Sequence, residues 1–339
     1  MEMVDWHLSR NKVLLYSCAL FITVTIGLHL TLYFQTFFVI INSSSSSLPA
    51  SPVVDSINHD SCVTWLHDIA FKNKDSNFSY DDSEAWKWVD SNSHVVDCMY
   101  KKLSKSEASD LLKGLWIVVI GDSQTRYTMD AFLELLMGPE EIERVRGDFK
   151  RHSEYHITLD AIGLNMDFIW APYVRNLTDW LVQSKKKRYL PDIIIMGAGT
   201  WDIIYVNNIT DFVVSVKMLN DSVMPLLAVT PESEFRDKPV EIWAPHMFWT
   251  GMPTYVHSML NTKVKREALT NEKCKAYLIH ERKLLRNFGG PLFWLDYHSL
   301  TGKCGSSCTV DGMHFKVVYQ AAVQIMLNVI LLESQQRLA

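Results

Sequence analysis

The segment from Gly114 to Gly121 limits the possible fold more than any other. Leu115-Trp116-Ile117-Val118-Val119-Ile120 is a continuous apolar run closed by a glycine at each end. A strand with one face in water alternates apolar and polar residues; a strand buried on both faces does not. After Gly121 the spacing becomes helical, with Tyr127, Ala131 and Leu135 three to four residues apart. Gly121-Asp122-Ser123 therefore stands at a strand-to-helix junction.

Similar units follow. Ile157-Thr158-Leu159 and Leu164 to Trp170 predict a strand pair. Asp192 to Met196 predicts a second buried strand, Val240 to Ala244 a third stopped by Pro245, and Pro291 to Leu295 a fourth. Phe212 to Leu227, the charged stretch 253–288 and the tail after His314 read as helices. In the tail, Val317, Ala321, Ile325 and Leu332 share a face, and it is expected to pack on the sheet. Strands alternating with helices give an α/β fold: a three-layer α/β/α sandwich around a mostly parallel sheet. The approach to it, residues 62–113, reads as short helices with Trp86 and Trp88.

The N-terminal part reads differently. From Val13 to Ile41 there is no Lys, Arg, Asp or Glu, long enough to cross a bilayer, which takes about 20 residues. Arg10 and Lys12 precede it, and the next basic residue is Lys72, so the positive-inside rule places the tail in the cytoplasm and the rest in a lumen. The organisation expected is a tail at 1–12, a transmembrane signal anchor at 13–35, a Ser- and Pro-rich stem at 36–60, and a lumenal catalytic domain at 61–339. Sequons begin at Asn42, Asn77, Asn176, Asn208 and Asn220, as glycosylation in the secretory pathway requires. Cys62, Cys98, Cys274, Cys304 and Cys308 lie beyond the span, where disulfides form. Cys62 with Cys98, and one bridge among the last three, are expected; the odd number leaves one thiol over. The net charge of −5 does not suit nucleic acid, the basic run Lys185 to Arg188 reads as a solvated face, and no cysteine–histidine spacing suits a metal.

An open α/β sheet places its active site at the carboxyl ends of its strands. Ser123 lies there, where a helix N-terminus supplies N–H donors for a developing negative charge. Its hydroxyl is a weak nucleophile until a base takes the proton. His314 is the candidate base, and Asp311, three residues earlier, the carboxylate that would hold its tautomer. Asp296, at the end of the fourth strand, is the rival for that role. Read alone, Ser123 also suits a helix cap. Asp122 is expected to bond to backbone near the turn. Arg126, one helical turn on, is expected to pair with Asp122 or to bind an anionic or hydroxyl-rich substrate.

Ile120-Gly121-Asp122-Ser123-Gln124-Thr125-Arg126 and Asp311-Gly312-Met313-His314-Phe315 resemble the two signature blocks of the PC-esterase family, a branch of the SGNH/GDSL hydrolase superfamily. The resemblance covers roughly residues 62–330 and extends to Gly197-Ala198-Gly199-Thr200-Trp201-Asp202 and to the Cys-bearing stretch Trp88 to Cys98. It is similar to the catalytic domain of animal Golgi sialate O-acetyltransferases and, more distantly, to plant trichome-birefringence-like polysaccharide O-acetyltransferases. The resemblance implies Ser123 as the acyl-accepting nucleophile, His314 as base and Asp311 as its orienter. It also implies that Trp201 stands where the superfamily has an Asn oxyanion donor, which leaves the N–H groups of Ser123, Gly147 or Gly199 to replace it. No bound cofactor is expected. The expected function is acetyl transfer to a glycan or polysaccharide hydroxyl at the Golgi membrane, with the ER also compatible. The acetyl group would come from acetyl-CoA directly or from a partner such as a multi-pass membrane protein, because no second span follows the domain. The alternatives are a carbohydrate O-acetylesterase and a non-catalytic glycan-binding or helper protein. Trp201, Trp249 and Trp294 are the candidate sugar-stacking residues.

Overall fold

The computed structural model describes residues 69–71, 86–88, 98, 100–148, 152–187, 190–226, 245–286 and 292–338. The expected anchor and stem, Asn42, Cys62 and Asn77 lie outside them. A short antiparallel pair, β1 (Ile69–Phe71) and β2 (Trp86–Trp88), occupies part of the approach segment in place of the expected short helices.

Among the described residues the main sheet has six strands: β3 (Trp116–Gly121), β4 (Tyr155–Leu159), β5 (Leu164–Trp170), β6 (Ile193–Gly197), β7 (His246–Thr250) and β8 (Leu292–Leu295). Their order is β4-β5-β3-β6-β7-β8. Neighbours are parallel except at the β4 edge, where β4 and β5 form the expected antiparallel pair. β3 carries the Gly114–Gly121 run and lies inside the sheet. Alternate residues point to opposite faces of a strand. Ile117 and Val119 accordingly enter one buried cluster, Val118 and Ile120 another. These two cores are the layers of the sandwich, and they explain why the run has no polar residue.

On one face lie α1 (Lys105–Leu111), α2 (Ser123–Leu136) and a long tail helix, α3 (Lys316–Leu338). α3 is long and apolar enough to cross a membrane by composition. Yet Val317, Val318, Ala321, Ala322, Ile325, Met326, Val329 and Ile330 are all buried in the first core, so here it is a core helix packed on the sheet, as expected. On the other face, Val174–Lys187, Ile209–Val223 and Asn271–Leu285 form helices that cover the second core.

The expected strand at Val240–Ala244 lies outside the described residues; β7 begins after Pro245. Proline lacks an N–H and halts a ladder from within, but ahead of a strand's first residue that missing donor is not needed. The helix expected from Phe212 starts at Ile209, capped by Asn208, and gives way to a 3-10 turn at Met224–Leu226 around Pro225.

The chain leaves β3 to build β4 and β5 on one side, then crosses to β6 on the other. Such a reversal opens a crevice at the carboxyl end of the central strand, the usual ligand position in open sheets. Ser123 follows β3 at that point.

Candidate active site

Asp122 caps α2, its carboxylate accepting the Gln124 N–H at 2.9 Å. Gly121 has φ of 152°, and a Cβ there would stand 1.9 Å from the Gly197 carbonyl oxygen of the next strand. Only glycine permits this approach, and the turn sets Ser123 at the first position of the helix. Gln124, Thr125 and Thr128 on the same helix are buried.

The facing loop is organised by Asp311. One of its oxygens accepts the N–H groups of Met313 and His314, each at 2.9 Å. The other accepts from His314 Nδ1 at 2.7 Å. His314 Nε2 then lies 2.9 Å from Ser123 Oγ. Residues 191 positions apart are joined in one relay, carboxylate to imidazole to hydroxyl. Burial alone would raise the Asp311 pKa, but the hydrogen bonds and charge of His314 and the two backbone N–H groups outweigh it and hold the carboxyl well below the usual range. Asp296 takes a different part: it caps Tyr297–Cys304 and grips Arg282 through both oxygens, at 2.8 and 2.9 Å.

Two residues that the sequence reading did not single out hold the halves together. Gln124 donates to the Met313 carbonyl at 3.1 Å and accepts from the Tyr319 hydroxyl. Tyr127 packs on the His314 ring with centroids 4.7 Å apart and stacks on Tyr319. Gln124 follows the serine directly, but its partner is a backbone carbonyl 189 positions away, which leaves no mark in sequence. Asp122 is fully buried; desolvation raises its pKa to about 7, against the Gln124 N–H and the Thr200 hydroxyl beside it. Thr200 in turn meets the Tyr255 hydroxyl at 2.8 Å.

The other candidates divide. Arg126 does not pair with Asp122, whose carboxylate faces Gln124 and Thr200; its guanidinium lies over the Tyr127 ring at 4.7 Å, and its Nε is buried without a partner. Gly147 sits inside the helix Pro139–Asp148, where backbone N–H groups serve the helix's own ladder, so it offers no oxyanion donor. Gly199 lies just past β6 with φ of 124°, and a Cβ would press on Met252. Trp249 and Trp294 are buried in the second core. The Trp249 indole donates to Glu281, and that of Trp294 has no partner; as β7 and β8 core residues they present no face to a sugar. Trp201 is half-buried and surrounded by other rings.

Among the described residues, Cys304 and Cys308 form a disulfide, Cys274 is a free thiol, and Cys98 is disulfide-bonded. Asn176 and Asn208 are exposed and Asn220 is half-buried.

Full-length comparison places the chain among known proteins. It is 40% identical over 351 residues to Protein ALTERED XYLOGLUCAN 9 of Arabidopsis thaliana, covering 100% of this chain and 95% of that one. The chain belongs to the ALTERED XYLOGLUCAN 9 family. No protein-family profile matches it. Among solved structures, a catalytic mutant of the acetylxylan esterase Axe2 from Geobacillus stearothermophilus aligns with 64% of this chain and 94% of its own, at 12% identity and a TM-score of 0.36. A carbohydrate acetylesterase family member from Sinorhizobium meliloti aligns with 64% and 97%, at 14% identity and 0.35. The α/β assignment rests on the sheet itself and the family on the Arabidopsis relative.

Proposed function

We propose that this chain is a polysaccharide O-acetyltransferase of PC-esterase type that carries the acetyl group on Ser123. The observation that carries the reading is the hydrogen-bonded Ser123–His314–Asp311 chain at the carboxyl end of β3. His314 Nε2 takes the Ser123 proton as Oγ attacks the carbonyl carbon of the acetyl donor. The leaving group departs with that proton, and acetyl–Ser123 remains. An acceptor hydroxyl then gives its proton to His314 and attacks the same carbonyl, and Ser123 Oγ leaves as the hydroxyl. Asp311 stays ionised throughout and stabilises the imidazolium that forms in each half. The N–H of Ser123, which as the first of the helix has no intrahelical acceptor, and that of Gly199 are the proposed oxyanion donors.

The relative's name connects it with xyloglucan, and a neutral wall polysaccharide of that kind is the acceptor class we assign here. We further propose that residues 13–35 anchor the protein in the Golgi membrane with the catalytic domain lumenal, and that a membrane partner or acetyl-CoA supplies the acetyl group. The test is to give the full-length protein a chromogenic acetate ester with and without xyloglucan oligosaccharides. Acetylated oligosaccharide should form at the expense of free acetate. Acetate release that the saccharide leaves unchanged, with no acetylated product, identifies an esterase instead.

A further inference from the structure

Among the described residues, two non-glycine residues have left-handed backbone, His152 with φ of 58° and Asn207 with φ of 52°. One segment is π-helical, Asp202–Val206. Two of these irregularities, the π turn and His152, meet at Trp201. Trp201 opens the π turn, and Asn207 closes it by donating its N–H to the Asp202 carbonyl at 2.8 Å. The His152 ring lies 5.2 Å from Trp201 and 4.5 Å from Trp170. Backbone held in rarely populated conformations concentrates where a ligand is gripped, as do π turns.

These distortions gather five rings into a strip. Trp201 is its hub, with Tyr205 at 4.8 Å, Trp170 at 5.5 Å and Tyr173 at 6.1 Å. Tyr205 is 59% exposed. The strip starts beside the relay, because Trp170 is the register partner of Gly121 on one side of β3 and Gly197, four residues before Trp201, its partner on the other. At its far end opens a cavity of about 380 Å³ lined by Tyr173, Arg175, Asp202, Asp211, Ser215 and Met218.

We infer that this strip and cavity form a binding subsite for successive pyranose units of a neutral polysaccharide chain. A pyranose has C–H groups on its faces and hydroxyls around its edge. The rings offer apolar faces to the first, and the guanidinium, carboxylates and hydroxyl of the cavity meet the second. Two carboxylates stand against one guanidinium there, a balance that repels a polyanion and accepts an uncharged chain. The subsite rests on the acetyl-transfer reading for its purpose, not for its existence: it would hold the acceptor while its hydroxyl reaches acetyl–Ser123.

Calorimetric titration tests this with full-length Ser123→Ala protein, with and without its N-glycans, since Asn176 also lines the cavity. The probes are cellohexaose, xylohexaose and an oligogalacturonate. A neutral hexaose should bind, and Tyr205→Ala or Trp201→Ala should weaken it about tenfold, the scale of one lost stacking contact. Tyr205 is surface-exposed, so its variant keeps the test usable if Trp201→Ala unfolds. Absence of binding by both neutral oligomers, binding indifferent to Tyr205→Ala, or tighter binding of the oligogalacturonate overturns the subsite. Chain binding in this titration, together with wild-type protein that takes no acetyl group on Ser123, leaves the subsite standing and defeats the transferase reading. Acetylation of Ser123 without chain binding does the reverse.

Discussion

Asp311 and Asp296 both follow the same design for one turn of chain: each caps the start of a turn or helix with its carboxylate, and each holds a basic side chain. The difference is the partner. Asp311 faces an imidazole whose second nitrogen reaches Ser123. Asp296 faces a guanidinium, which stays protonated at any pH a protein survives. A carboxylate can steer proton transfer only through a group that gains and loses a proton near neutrality. The Asp311 region has the hydrogen bonds that the proposed relay requires. The Asp296 region, with buried Glu281 and Trp249 beside half-buried Arg282, is a strut under the same end of the sheet.

That contrast predicts opposite consequences for catalysis from one substitution. Asp311→Asn should lower kcat by about 10⁴-fold, as when a relay imidazole is left in the wrong tautomer, and should also lower stability, because the charge that its hydrogen bonds favour is gone. Asp296→Asn should leave kcat within a few-fold and lower stability by about 2 kcal/mol. That figure is a buried pair's loss discounted because Arg282 is about one-third exposed. Steady-state kinetics and melting curves on both variants check it, and exchanged outcomes would break the distinction.

Gln124 sharpens the comparison, because it holds the relay without touching the reacting atoms. Gln124→Ala removes its bonds to Met313 and Tyr319 and should lower kcat about 10- to 100-fold through misplacement of His314. KM should move little, and Gln124→Glu, which keeps an acceptor for Tyr319, should recover part of the rate. A fall in stability with kcat intact would make Gln124 a packing residue only.

The smallest effect is in pH. Burial raises the Glu281 pKa to about 8, against the Trp249 indole and Arg282. Its folded pKa lies above the unfolded value near 4.5, so its contribution is present at low pH and is lost as pH rises from there through 8. Asp311 has the opposite sign: its folded pKa is depressed, so its contribution is present above the ordinary carboxylate range and is lost as acid protonates it. Glu281→Gln should therefore flatten the decline in stability between about pH 4.5 and 8, read from urea midpoints across that range. An unchanged slope would show that Glu281 does not titrate there.

Sequence showed most of the relay's side of this contrast and little of the strut's. The glycine-bounded run placed β3, and the change to helical spacing placed Ser123, because both are local patterns. The Asp-x-x-His spacing was visible, but Asp296 remained its rival, since only tertiary contact reveals that Arg282 holds it. Nothing in the sequence separates Trp249 and Trp294, candidates for sugar stacking, from core residues, because their burial depends on the helices that cover β7 and β8. The His152–Trp201 strip was missed except for Trp201 because left-handed backbone and a π turn have no strong residue signature.

Acetyl transfer through Ser123 requires one covalent bond. Peptide mass spectrometry of the full-length protein, after incubation with an activated acetate ester and no acceptor, should find a single acetyl group on the Ser123 peptide. It should be absent from Ser123→Ala and discharged when a neutral oligosaccharide is added. An unmodified Ser123 peptide, from protein that still acetylates polysaccharide at the wild-type rate, would contradict the account.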